Sequence, residues 1–305
     1  DHELIAIGKA RYYGIAQSIS ELFYPEVRPL HYVDLNYQSI KDKPGFHFRY
    51  GDYGYSAPTA FLWIWVTSEN DIVVYREYYK KGLTAYEHAQ NIVSASGNKL
   101  RIRGKEQVGG VEIEGGKVSK LFKWLDIFEE DVSERRFEKT VLDWHCFEQK
   151  DGGGTTMARY FQYGGLPVRR STTAQIEQRS QALRLLLKIR LDKKHMVTGA
   201  LGAPRLYISN ECSFLKWELS KCRRRTRLHS EHRYNPMEER VTKDDHLIDP
   251  LEYFAVDVSR MLLLTDKFQK IIKDEDRRLK DGRKTESSTR QVRHRTGPPL
   301  RGIYA

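Results

Sequence analysis

From Ala60 to Val66 the chain reads Ala60-Phe61-Leu62-Trp63-Ile64-Trp65-Val66, without a polar residue. A half-exposed strand alternates apolar and polar positions. An unbroken run of this length, opened by Thr59, is a strand buried on both faces. An earlier strand, Phe46 to Tyr50, leads into Gly51-Asp52-Tyr53-Gly54, and a later one runs from Ile72 to Tyr79. Ser68-Glu69-Asn70-Asp71 between the second and third runs reads as a hairpin turn. Three consecutive antiparallel strands follow, with Asp52 near the end of the first. Gly51 and Gly54 keep bulk away from its carboxylate. Asp52 is then either a group that a cation or phosphate can approach or a turn aspartate bonded to its own loop.

Downstream, Thr84 with Glu87 makes a capping box for a helix that Gly97 ends. Val111-Glu112-Ile113-Glu114 alternates before Gly115-Gly116, so a β-hairpin insertion is expected within 99–137, with Ser119 to Phe137 partly helical. Val141-Leu142-Asp143 is a short strand ending in an acid. A short helix to Tyr163, an edge strand from Leu166 to Arg169, and a helix over 174–191 with its arginines and lysines outward come next. Pro204 to Ile208 is a strand and Glu211 to Cys222 a helix. Lys221 to Arg227 carries five cations in seven residues, including Arg223, Arg224, Arg225 and Arg227. Such a run is a solvated arm or a phosphate-contacting patch. A last apolar helix extends to about Leu264.

Lysines and arginines number 52 against 41 acids over 305 residues, a net charge of +11. That excess points to a polyanionic partner. From Lys267 onward, 12 cations face 5 acids, so a basic, disordered tail over 267–305 supplies much of the excess. No apolar stretch reaches membrane-span length. Cys146, Cys212 and Cys222 lack metal-ligand spacing and read as reduced thiols. No phosphate loop is present; Gly116 stands where its lysine belongs.

The acids sit in three places beside apolar segments: Asp52, Asp143, and Asp244/Asp245/Asp249. Oxygen-only donors suit hard cations such as Mg²⁺ and Mn²⁺, and two such ions can drive phosphodiester hydrolysis if the acids converge. Convergence requires the first strand and the Asp143 strand to lie side by side, with the late helix across them. Each acid also has a plainer reading. Asp143 can cap a turn, and Asp249-Pro250-Leu251-Glu252 has the layout of a helix cap. Asp245 and Asp249 share a face only if the helix already runs through Asp245, and Asp244 points about 100° away. His246 is a flanking group rather than a ligand, and His145 and Cys146 have no zinc spacing.

Gly51-Asp52-Tyr53-Gly54-Tyr55-Ser56-Ala57-Pro58-Thr59-Ala60, followed by Val74-Tyr75-Arg76-Glu77-Tyr78-Tyr79, resembles the start of the nuclease domain of phage terminase large subunits. Val141-Leu142-Asp143, Gly165-Leu166-Pro167-Val168, Pro204 to Ile208, and Asp244-Asp245-His246-Leu247-Ile248-Asp249 resemble later motifs of that domain. The resemblance covers roughly residues 24 to 264. Pro250 departs from the usual alanine, and 99–137 is longer than expected.

The resemblance implies an RNase H-like α/β fold: a central mixed sheet, three antiparallel strands followed by parallel ones, flanked by helices. Residues 46–266 would be the nuclease domain and 1–45 a linker or remnant of an ATPase region, with no ATPase activity expected. It implies a two-metal endonuclease using Mg²⁺ or Mn²⁺ to cut concatemeric phage DNA in the host cytoplasm. Asp52 would bridge the ions, Asp143 and Asp249 or Asp245 would hold one each, and duplex DNA, the portal and the small terminase subunit would be partners. A junction resolvase or transposase-like nuclease, or a non-catalytic DNA-binding or motor-docking module, are the rival readings.

Overall fold

A computed structural model describes residues 22–114, 117–132, 136–149, 154–226 and 236–263. The strands are β1 (Tyr32–Val33), β2 (Phe46–Asp52), β3 (Thr59–Val66), β4 (Ile72–Lys80), β5 (Lys99–Glu114), β6 (Lys117–Asp131) and β7 (Lys139–Leu142). They continue as β8 (Gly164–Gly165), β9 (Arg169–Arg170), β10 (Arg190–Lys194), β11 (Leu201–Ala203), β12 (Leu206–Ser209), β13 (Arg224–Thr226) and β14 (Pro236–Arg240). The α-helices are α1 (Tyr37–Ile40), α2 (Ala85–Ala95), α3 (Met157–Tyr163), α4 (Ile176–Leu187), α5 (Ser213–Lys221) and α6 (Ile248–Leu263).

The apolar run decides the architecture. Every residue of β3 is buried. Ala60, Leu62, Ile64 and Val66 join one core, while Phe61, Trp63 and Trp65 join the other. Period-two alternation sends successive side chains to opposite faces, so one strand feeds two hydrophobic layers. The first layer is closed by Leu183 and Leu187 of α4, Leu215 and Leu219 of α5, and Leu251 and Phe254 of α6. The second is closed by Ala89 and Ile92 of α2 and Phe161 of α3. Arg49 is also fully buried, with its guanidinium bonded to both oxygens of Glu130 at 2.7 Å.

Seven strands form the central sheet in the order β1-β12-β4-β3-β2-β7-β9. β2, β3 and β4 run antiparallel. β7 adds parallel to β2, and β9 parallel to β7. The result is a mixed sheet, antiparallel strands followed by parallel ones, flanked by helices. Phe23 and Tyr24 pack into the α6 side, and β1 pairs with β12.

Three sequence expectations change. The partial helix expected over Ser119 to Phe137 is a strand from Ser119 to Asp131: β6 pairs along its length with β5 from Lys99↔Asp131 to Glu114↔Lys117. Leu121-Phe122 and Trp124-Leu125 interrupt the alternation that would have revealed the strand, and cross-strand pairing overrides local preference. The expected turn at Gly115 and Gly116 lies outside the described residues. The second change is α4, which ends at Leu187 and does not turn all its arginines outward; Arg179 is 7% exposed. Third, the edge strand is Arg169–Arg170 rather than Leu166 to Arg169, because Pro167 lacks an N–H and Leu166 donates its own to Phe161 (3.0 Å). The expected capping box at Thr84 and Glu87 is present. The basic tail over 267–305 lies outside the described residues.

Candidate active site

β2 and β7 are parallel neighbours, with Gly51 opposite Leu142. The next residue on each strand is an acid, and the Asp143 N–H donates to the Gly51 carbonyl at 3.2 Å. Asp52 and Asp143 therefore leave the sheet side by side, about one strand spacing (~4.8 Å) apart. Tyr50 and Val141, two residues before each acid, belong to the core layer that α6 closes. Alternation puts both carboxylates on that face.

Helix α6 is tied to both strands. Tyr253 donates its hydroxyl to Oδ2 of Asp143. Asp257 accepts from the Tyr50 hydroxyl at 2.6 Å and from Lys139 Nζ at 2.5 Å. Asp249, Tyr253 and Asp257 fall four apart and form one stripe. Just before the helix, His246 Nδ1 stands 3.9 Å from Asp52 Oδ2, and that carboxylate holds the imidazole above its ordinary value.

Asp143 has two roles. Oδ1 accepts the His145 N–H at 2.8 Å, capping the short 3₁₀ turn Trp144–Phe147, and lies 2.9 Å from His145 Nδ1. Asp249 is no cap. It sits within the first turn of α6, and the free N–H groups of Leu247 and Ile248 are taken by Glu218 of α5, at 2.7 and 3.2 Å. Asp245 precedes the helix, so Pro250 does mark a break in any helix drawn through Asp245. Asp244 has φ of 52°.

Asp245 and Asp249 each give a carboxylate oxygen to the same guanidinium, that of Arg240, whose side chain is fully buried. Arg179 Nη1 lies 3.4 Å from Asp249. Glu252, also fully buried, lies 3.3 Å from Arg240 Nε and accepts from Ser180 at 3.0 Å. Burial pushes the Asp249 carboxyl up to about 7, against the pull of both arginines.

The oxygens of Asp52 and Asp143 fit a hard divalent cation in kind and placement. Asp245 and Asp249 in this arrangement do not, because Arg240 already takes an oxygen of each. Among the described residues, no three His, Cys, Asp or Glu side chains converge as a metal-holding group.

Of the basic cluster, β13 pairs antiparallel with β14, Arg224 opposite Arg240. Arg225 is exposed and 3.4 Å from Glu239, Arg223 bridges to Leu22, and Arg227 lies outside the described residues. A cleft of about 640 Å³ between the β5–β6 hairpin and α3 is lined by Arg103, Lys105, Arg159 and Tyr163 and by none of the candidate acids. Sequence reasoning missed Tyr253, Asp257, Glu218, Arg179 and Arg240. The four-residue ladder from Asp249 was a signal for the first two. Nothing in Glu238-Glu239-Arg240 marked the last.

No family model matches the sequence, and neither does any curated protein sequence. Solved structures do match. The chain is similar in structure to phage large terminases. A large terminase from a thermophilic bacteriophage matches at 13% identity and a TM-score of 0.47, over 81% of this chain and 51% of that one. The same terminase in complex with ADP matches at 14% and 0.48, over 77% and 44%. The nuclease domain of the phage P22 large terminase matches at 14% and 0.45, over 76% and 89%. The chain thus spans about half the length of the first of these. Among the described residues, no helix is long and apolar enough to cross a membrane.

Proposed function

We propose that this chain is a divalent-metal-dependent DNA endonuclease that cuts concatemeric phage DNA during genome packaging, in the host cytoplasm. One observation carries the reading: two acids leave adjacent parallel strand ends on the face that α6 covers, and α6 holds a third acid on the stripe that touches one of them. The motif resemblance in the sequence supplies the substrate class.

Asp52 and Asp143 would hold Mg²⁺ or Mn²⁺, with Asp249 or Asp245 as the third ligand of a two-ion site. A cation bound there supplies Lewis-acid stabilisation of charge developing on the scissile phosphate. Tyr253 and the His145 N–H fix both oxygens of Asp143, and His246 orients Asp52. Arg225, beside Arg223 and Arg224, would meet the duplex through its phosphates, which gives salt-sensitive and weakly sequence-specific binding. The portal and small terminase subunit are the proposed protein partners. ATP hydrolysis is not expected of this chain.

The test is plasmid nicking with Mg²⁺, with Mn²⁺ and with EDTA, alongside Asp52→Asn, Asp143→Asn and Asp249→Asn. Cutting that needs metal, and that falls at least about 100-fold in the first two variants with circular dichroism unchanged, supports the reading. A four-way junction substrate separates out the resolvase reading. The engagement of Asp245 and Asp249 by arginine favours a second reading, a non-catalytic DNA-binding or motor-docking module. Wild-type protein that binds the plasmid yet leaves it intact with either metal would establish that one.

A further inference from the structure

The third acidic position already has a cation in it, and the protein supplies it. Arg240 is the last residue of β14, held in register by its pairing with Arg224 and by the Val241 N–H to the Arg223 carbonyl at 3.0 Å. Its guanidinium contacts three carboxylates: Asp245, Asp249 and, at 3.3 Å from Nε, Glu252. Arg179 closes the far side, 3.4 Å from Asp249 and 3.8 Å from Glu252, and lies 4.6 Å from the centre of the Tyr253 ring. Tyr253 in turn bonds Asp143. An unbroken chain of contacts thus runs from Arg240 through Asp249, Arg179 and Tyr253 to the strand-end pair.

Building on the nuclease reading above, we propose that Arg240 is an internal latch. Its guanidinium holds Asp245 and Asp249 away from divalent metal, and the third acid joins the site only when the β13–β14 pairing lets Arg240 withdraw. The geometry suits this role better than simple packing. A fork-shaped donor engages two carboxylates at once, which a divalent cation would also have to engage, so the two cations compete for the same oxygens. In the latched state Asp52 and Asp143 alone are available. The third position then has low apparent affinity for metal, because only the unlatched fraction can bind. A nuclease held this way resists random cutting until DNA or a partner shifts the hairpin.

The test is Mn²⁺ binding to the whole chain, followed by the electron paramagnetic resonance signal of free ion and by thermal melting with and without Mn²⁺. Arg240→Lys keeps the charge and loses the fork; Arg240→Gln loses both. Both are expected to bind Mn²⁺ more tightly than wild type, Gln more than Lys. A gain of about tenfold corresponds to a competent state populated at roughly one part in ten. Adding Asp249→Asn to either variant should abolish the gain. Wild-type affinity in Arg240→Lys, with the same loss of melting temperature whether or not Mn²⁺ is present, would overturn the latch. So would a loss of wild-type binding in Asp249→Asn as large as that in Asp52→Asn. Asp52→Asn reads the underlying site separately: if it binds Mn²⁺ as wild type does, the nuclease reading fails, whatever Arg240 does.

Discussion

Replacing Glu218 with glutamine tests whether a buried carboxylate holds the start of α6. Glu218 has no solvent exposure, and one of its oxygens accepts both the Leu247 and Ile248 N–H groups. Burial pushes its carboxyl from an ordinary 4.5 to about 7, more than those two bonds and nearby His246 pull it down. The folded state therefore binds this proton more tightly than the unfolded chain does. The stability it contributes is fully present below about pH 4.5 and is lost as pH rises through about 7. At about 1.4 kcal/mol per pH unit, the interval amounts to roughly 3 kcal/mol, most of it between pH 5 and pH 8. Glutamine keeps an acceptor at the same place and never ionises, so it imitates the neutral acid. Urea unfolding followed by tryptophan fluorescence should find Glu218→Gln within about 1 kcal/mol of wild type at pH 5 and about 2–3 kcal/mol more stable at pH 8. Asp249 is also raised and shifts stability in the same direction, but its contribution cancels in the difference between the two proteins; His246, which Glu218 itself helps to raise, adds a term that favours wild type only where the imidazole is charged. A difference that stays flat from pH 5 to pH 8 would refute the argument.

Three further outcomes follow from the packing. Arg49→Met leaves Glu130 buried without its bidentate partner and should cost about 3–5 kcal/mol in urea unfolding. A methyl group at Gly51 would stand 2.3 Å from the Phe61 ring, so Gly51→Ala should cost about 1–3 kcal/mol, partly restored by adding Phe61→Leu. Arg225→Ala should lower the slope of DNA affinity against salt by about one phosphate contact. It should leave the melting temperature alone, because an exposed pair 3.4 Å from Glu239 contributes little.

The sheet was legible because its signal is local. The run at Ala60 to Val66 has one physical solution, and the strand ends at Asp52 and Asp143 follow from where apolar runs stop. The hairpin was legible only in part. Val111 to Glu114 alternates, but β6 is a strand because β5 lies beside it, and pairing partners are not written in a strand's own sequence. The acids were visible as acids, yet their surroundings were not. Arg240 and Glu218 meet α6 from segments 8 and 30 residues upstream of Ile248, through contacts that only the folded chain creates. Asp249 looked like a cap because Pro250 and Glu252 follow it at capping distances. Glu218 took that role from outside the helix, and Glu252 turned inward to Arg240 and Ser180.

The central sheet finishes on β1 and β9, each two residues long. Its flanks therefore offer hardly a dipeptide of free backbone to another chain. Among the described residues, the longest free edge belongs to a different sheet, β5-β6-β8, where β5 presents Arg101, Arg103 and Lys105, all exposed. Charged side chains along such an edge discourage a second copy from zippering onto it. Two copies brought into contact can then touch and part again without their sheets fusing.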